Sequence, residues 1–243
     1  MGGKKRADQA LVERGLAPSR ARARAAIEAG LVTADGVRVQ KASQSVAGAV
    51  ELRASPAHPY VSRGGLKLAA ALDRFGIDAG GKVCLDLGAS TGGFSEVLLA
   101  RGARRVYAVD VGHGQLHPSL RGRAGLLSLE GTDARALDRG LVPEPIDLLV
   151  ADVSFISLKL VLPAAFALCA PSAVLVALVK PQFEAGRAHL KKGIVRDETV
   201  QAKVCAEIAR FLAAAGWTVL GEMPSPVAGS DGNREFLIGA RRG

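Results

Sequence analysis

From Tyr60 onward, short continuous apolar runs alternate with longer stretches in which apolar residues recur every three or four positions. The runs are VCLDL (83–87), VYAVD (106–110), LLSLE (126–130), IDLLVAD (146–152), VLVALVK (174–180), TVLGE (218–222) and FLIGA (236–240). Their length and β-branched content predict buried strands. After Gly64 and Gly65, the spacing of Leu68, Leu72 and Phe75 predicts a helix with Lys67 in its first turn. Strand–helix alternation implies an α/β fold, a largely parallel sheet covered on both faces. The last two strands are joined without a helix and are expected to pair antiparallel.

Residues 1–56 follow another pattern. ADQALVERGL predicts a short helix carrying Ala10, Leu11 and Leu16 and ending near Gly15. Ser19 is an expected N-cap for RARARAAIEAG, which Gly30 stops. LVTADGVRV reads as two strands around Asp35-Gly36, a strong hairpin signal. These are the parts of a small α+β domain over 1–56. Pro56, His58 and Pro59 mark a linker over 57–63, and the second domain is expected over 64–243.

The uncharged stretch from Leu160 to Val179 is long enough to span a bilayer. Pro163 and Pro171 interrupt it, however, and Ala170-Pro171-Ser172 is a turn signal. It is read as helix, turn and strand, with no integral membrane association.

The net charge of +9 suggests a polyanionic partner. Residues 1–56 hold 10 Lys and Arg against 5 Asp and Glu, so this short stretch carries over half of the surplus. Arg20, Arg22 and Arg24 crowd one helix, and their mutual repulsion calls for an offset that nucleic-acid phosphates would supply. A solvated helix surface is the plain alternative. Cys84, Cys169 and Cys205 form no C-x-x-C pair, so neither a zinc site nor a disulfide framework is expected, which fits a reduced cytoplasmic setting. The basic N-terminus lacks the apolar stretch of a secretion signal.

The first strand runs into LDLGASTGGF, whose glycines Gly88, Gly92 and Gly93 allow a tight turn and close ligand approach. The spacing is neither the dinucleotide fingerprint nor a P-loop. Asp86 lies within the first strand, Asp110 ends the second, Asp133 follows the third, and Asp152 ends the fourth. Strand C-termini converge on the ligand crevice of such sheets, so these acids are expected to line one site, with Asp110 on a ribose. Nicotinamide dinucleotide binding is the competing reading. Lys180 ends the fifth strand, and Glu235 stands in the loop SDGNREFL before the last.

The N-terminal pattern resembles the small RNA-binding domain of ribosomal protein S-four, and the sheet resembles that of class I (Rossmann-like) methyltransferases. Lys67, Asp152, Lys180 and Glu235 match in chain order the tetrad of FtsJ-like 2′-O-ribose methyltransferases. Together with YVSRGGLKL, ADVSFISL, VKPQFEAGR and GNREFL, they resemble the TlyA family, whose members are described as ribosomal RNA cytidine 2′-O-methyltransferases and are also named hemolysins.

The resemblance implies S-adenosylmethionine as cofactor, held by Asp86, Gly88, Ser90, Gly92, Gly93, Phe94, Asp110 and Asp133. It implies Lys180 as general base, with Lys67, Asp152 and Glu235 orienting the hydroxyl. It also implies ribosomal RNA or ribosomal subunits as partners, contacted by Arg6, Arg20, Arg22, Arg24, Lys191 and Lys192, with no metal. An inactive RNA-binding assembly factor and a membrane-active hemolysin remain as alternatives.

Overall fold

The structure, a computed structural model, describes residues 4–17, 19–54, 58–229 and 232–243. Pro56 of the expected linker, and Ser230 and Asp231 of the loop before Glu235, lie outside the described residues. The chain divides into two compact units, Met1–Pro59 and Tyr60–Gly243.

The first unit contains β1 (Lys5–Arg6), α1 (Ala7–Glu13), α2 (Arg20–Glu28), β2 (Val32–Ala34), β3 (Val37–Arg38), β4 (Ser45–Val46) and β5 (Leu52–Ala54). Ser19 caps α2, its hydroxyl accepting the N–H of Arg22 at 3.3 Å. Asp35 and Gly36 both take positive φ, 49° and 79°, as a two-residue hairpin turn requires. The hairpin joins β5 in a three-stranded sheet, ordered β3-β2-β5. Ala7, Ala10, Leu11, Ala23, Ile27, Val32 and Leu52 share one core. Leu16 does not belong to it: α1 ends at Glu13, and Leu16 lies beyond it, exposed.

The second unit contains α3 (Gly64–Phe75), β6 (Val83–Leu87), α4 (Gly93–Ala100), β7 (Arg105–Asp110), β8 (Leu126–Glu130), β9 (Ile146–Ala151), α5 (Leu158–Phe166), β10 (Cys169–Val179), α6 (Pro181–Glu184), α7 (Glu198–Ala214), β11 (Trp217–Pro224) and β12 (Phe236–Arg242). Seven strands form one sheet, ordered β11-β12-β10-β9-β6-β7-β8. The five from β8 to β10 are parallel, while β12 runs antiparallel between β10 and β11. Tyr60 packs against Gly65, and Val61 N–H donates to Glu96 at 2.6 Å, so this unit begins before the expected Gly64.

Side chains alternate between faces along each strand. Cys84, Leu148, Val150, Val176, Leu178 and Leu237 pack with Leu68, Leu72 and Phe94 of α3 and α4. Leu85, Leu149, Leu175 and Ile238 pack on the other face, with α5 and α7.

Two local readings differ from the structure. Pro163 does not interrupt α5 but lies inside it. Ala170-Pro171-Ser172 does not close a turn: it lies within β10, where the pairing jumps from Cys169↔Ile146 to Val174↔Leu148. A bulge absorbs the extra residues and the proline, which has no N–H for a ladder. Among the described residues, no helix is long and apolar enough to cross a membrane.

Candidate active site

The strand order reverses between β6 and β9, and ligand crevices of open α/β sheets form beyond the strand ends at that point. A cleft of about 470 Å³ opens there, walled by Gly88, Ser90, Asp110, Val111, Gln115, Thr132, Asp133, Arg135, Asp152, Ser154 and Phe155, among others. Gly88, with φ 80°, lets the turn after β6 pass close under β9: a side chain there would meet the Asp152 carbonyl oxygen at 2.6 Å.

The acids around the cleft are held differently. Asp110 receives backbone N–H bonds on both oxygens, from Ser90 (2.8 Å) and Gly112 (2.7 Å), which fix its carboxylate on the wall. Asp133 grips Arg135 through both oxygens, and this guanidinium holds its carboxyl down at about 2. Arg135 is the one Lys or Arg on the wall among the described residues, and that pairing spends its charge. The cleft therefore favours a neutral or cationic ligand over a polyphosphate.

Beside the cleft stand two ion pairs. Lys67 Nζ meets Glu235 Oε2 at 2.6 Å, and Lys180 Nζ meets Asp152 Oδ1 at 2.6 Å while donating to Ser154 Oγ at 2.8 Å. Strand parity brings them together. Asp152, Lys180 and Glu235 lie two residues from Val150, Leu178 and Leu237, all on the face covered by α3. Val179 pairs with Phe236, so Lys180 and Glu235 follow on the next rung. Lys67, one residue before the fully buried Leu68, points from α3 to that rung and is itself buried. The first-turn lysine, unfavourable beside a helix N-terminus, is thus held by a carboxylate from 168 residues away.

Four expected cofactor residues stand elsewhere. Asp86 does not line the cleft: it is wholly buried, bonded to Ser95 Oγ at 2.7 Å, and desolvation pushes its carboxyl up to about 7. Gly92, with φ 90°, caps α4 and packs against Leu116 and Leu120. Gly93 packs against Ser62, and Phe94 is in the core. These glycines lack side chains for packing reasons. Conversely, Gln115, Thr132, Arg135, Ser154 and Phe155 were not anticipated. Phe155, with φ 65° and 90% exposed, stands at the cleft with its ring 5.1 Å from that of Phe183. Its signal lay in ADVSFISL, an exposed aromatic directly after a strand end.

Of the expected RNA-contacting residues, Arg6, Arg20, Arg22 and Arg24 belong to the first unit and Lys191 and Lys192 to the second. Arg6 and Arg20 both bind the buried Asp8, at 3.0 Å each, and Arg24 approaches Glu28 at 3.8 Å. Carboxylates therefore supply much of the charge offset assigned above to phosphates. Arg22 has no ion pair among the described residues. Lys191 and Lys192 are exposed on a tight turn closed by bonds between Lys191 and Ile194. Asn233, two residues before Glu235, clasps that turn: it donates to Gly193 O (3.1 Å) and accepts from Val195 N (3.2 Å). Among the described residues, no His, Cys, Asp or Glu cluster could hold a metal ion.

A parallel sheet reversing at β6/β9, closed by an antiparallel β12, defines a class I methyltransferase fold. Family matches cover an FtsJ-like methyltransferase over residues 60–242 and an S4 domain over residues 5–51, and the chain belongs to the FtsJ-like methyltransferase family. It is 44% identical to the 16S/23S rRNA (cytidine-2′-O)-methyltransferase TlyA of Mycobacterium tuberculosis, over 97% of this chain and 89% of that protein. It is 37% identical to Hemolysin A of Brachyspira hyodysenteriae, over 96% and 98% of the two chains. A solved structure described as a "putative hemolysin" from Streptococcus thermophilus matches with TM-score 0.77 and 39% identity, covering 100% of this chain and 90% of that one.

Proposed function

We propose that the protein transfers a methyl group from S-adenosylmethionine to a ribose 2′-hydroxyl of ribosomal RNA, at a cytidine, in the cytoplasm where that RNA resides. The observation carrying this reading is two Lys–carboxylate pairs, Lys67–Glu235 and Lys180–Asp152, whose members Glu235 and Lys180 share one rung beside a cleft suited to a cationic ligand. The TlyA relative's name supplies the ribose oxygen, the ribosomal RNA and the cytidine.

Asp110 fits the ribose of such a cofactor, because its fixed carboxylate can accept two vicinal hydroxyls. Asp133, on the cleft wall, would take the adenine amino group in this reading, with Arg135 as its competitor. When bound, the cofactor supplies an electrophilic methyl on a positively charged sulfur, which Asp152 at the cleft wall favours.

The chain must then make a weakly acidic hydroxyl nucleophilic and aim it. Lys180, once it has lost a proton to solvent, takes the hydroxyl proton at Nζ. With the hydroxyl oxygen so activated, the bound cofactor would give up its methyl to that oxygen and be released as a neutral thioether. Asp152 and Ser154 hold the lysine in line. Lys67, itself fixed by Glu235, places a second cation beside the developing alkoxide. Exposed Phe155 offers the base a stacking surface at the rim. Arg22, Lys191 and Lys192 are available for phosphates, which orient RNA without reading its sequence.

The test is incubation with ribosomal subunits and methyl-labelled S-adenosylmethionine, mapping ribose methylation for the wild type and Lys180→Ala. Labelling at a cytidine 2′-oxygen, lost in the variant with cofactor affinity retained, is expected. Unchanged labelling by the variant would sink the assignment of the base.

A further inference from the structure

The loop after β7 is gripped from both sides. Glu130, ending β8, accepts the backbone N–H groups of Gly114 (2.9 Å), Gln115 (2.8 Å) and Leu116 (3.1 Å). Those three amides hold its carboxyl below the usual carboxylate range. Arg121 donates to the carbonyls of Leu116 (3.0 Å) and Gly114 (3.3 Å). Five hydrogen bonds thus fix a loop whose tip presents Gln115 to the cleft wall.

The Gln115 side chain is oriented in turn. Its Oε1 pairs with Ser90 Oγ at 3.0 Å, which turns Nε2 toward Gly112. Only a glycine leaves space there, since a side chain at Gly112 would overlap the amide nitrogen. That same position lies 3.2 Å from Asp110 Oδ1, so the neutral N–H donor and the carboxylate stand side by side on the cleft wall. Both Asp110 oxygens already accept a backbone N–H, so the carboxylate is a fixed acceptor. A hydroxyl donating to it keeps oxygen lone pairs that need a donor of their own, because a polar group left unsatisfied in a cleft lowers affinity.

The complementary ligand is a vicinal diol. A phosphate would face Asp110, and an apolar group would strand both the carboxylate and the amide. Resting on the reading of this cleft as a nucleoside-cofactor site, we propose that Gln115 is a binding residue for that cofactor, its Nε2 donating to a ribose hydroxyl that Asp110 accepts. Gln115 then helps to discriminate ribose from deoxyribose, and the Glu130–Arg121 grip removes the entropic cost of ordering the loop on binding.

Calorimetric titration of the full chain with S-adenosylhomocysteine and its 2′-deoxy and 3′-deoxy analogues tests this. Gln115→Ala is expected to weaken S-adenosylhomocysteine binding about fivefold, the worth of one neutral hydrogen bond. For the analogue lacking the contacted hydroxyl, variant and wild type should bind alike, while the other analogue keeps the fivefold gap. Because Gln115 is exposed, the unliganded variant should melt at the wild-type temperature. Equal affinity of variant and wild type for S-adenosylhomocysteine overturns the proposal and leaves the cofactor reading standing. An equal loss for all three ligands also overturns it, since that reports a disturbed loop and not a hydroxyl contact. Failure of the wild type to bind S-adenosylhomocysteine overturns the cofactor reading, and this proposal with it.

Discussion

The two units bury acids in opposite ways. In the first, Asp8 lies under two half-exposed guanidinium groups, and the pairing with Arg6 and Arg20 holds its carboxyl well below the usual range. In the second, Asp86 is sealed in the sheet with one hydroxyl partner, and burial pushes it up to about 7. Next to it, Lys67–Glu235 and Lys180–Asp152 are buried at both ends or nearly so. In the Asp8 cluster only the acid leaves water, while its two cationic partners stay solvated. Ion pairs taken wholly out of water seldom repay the cost of desolvation. Their presence at the strand ends is therefore better explained by chemistry than by stability.

The largest effect should come from breaking a buried pair. Lys67→Met leaves Glu235 buried and alone, which is expected to cost about 3–5 kcal/mol in urea unfolding. Adding Glu235→Leu should restore most of that stability while leaving methyl transfer at least about 100-fold down. If the double variant stays as unstable as the single one, the pair is structural and the contrast between the units weakens.

The two buried aspartates should answer pH with opposite signs. Asp86 binds its proton more tightly folded than unfolded, so the wild type loses stability as pH rises from about 4 through 7. Asp86→Asn should therefore gain on the wild type over that window, by at most about 4 kcal/mol at pH 8. Asp8 has its folded value depressed, so its contribution is present above about pH 4 and lost below. Asp8→Asn should cost about 1–2 kcal/mol at pH 7, a gap that closes in acid; the solvent at its two guanidinium partners keeps it small. Melting curves of the wild type and the two variants at pH 2.5, 4, 6 and 8 decide both, and parallel shifts of the same sign would erase the distinction.

Smallest of all is Arg24→Ala. The Arg24–Glu28 pair is 65% and 69% exposed, so stability should change by no more than about 0.5 kcal/mol. Arg22→Ala should be similarly mild for stability yet lower the salt slope of RNA binding by about 1 in a filter-binding titration. An unchanged slope would remove Arg22 from the RNA-contacting surface.

Much of this was legible because buried strands announce themselves. Once 83–87, 106–110 and 146–152 are strands, Asp110 and Asp152 must lie at the open end of the sheet, whatever surrounds them. Parity then does what motif matching cannot: Val150, Leu178 and Leu237 send Asp152, Lys180 and Glu235 to one face. A missing side chain is ambiguous, however. Gly88 serves a close backbone crossing, while Gly92 and Gly93 serve packing, and nothing local separates the cases. Long-range partners were equally hidden. Asp8 neutralises Arg20 on a different helix, and the bulge in β10 swallows a tripeptide that looks like a turn. Gln115 went unnoticed because an exposed glutamine in a glycine-rich loop carries no periodic signal.

The position of β12 has a consequence for biosynthesis. It follows every other described strand in the chain, yet it lies inside the sheet and delivers the carboxylate beside Lys67. Until that strand emerges from the ribosome, the nascent sheet has an open seam between β10 and β11, and Lys67 lacks its counterion. A chain that stops short of Glu235 therefore lacks the carboxylate that holds Lys67, and that ion pair beside the cleft cannot form.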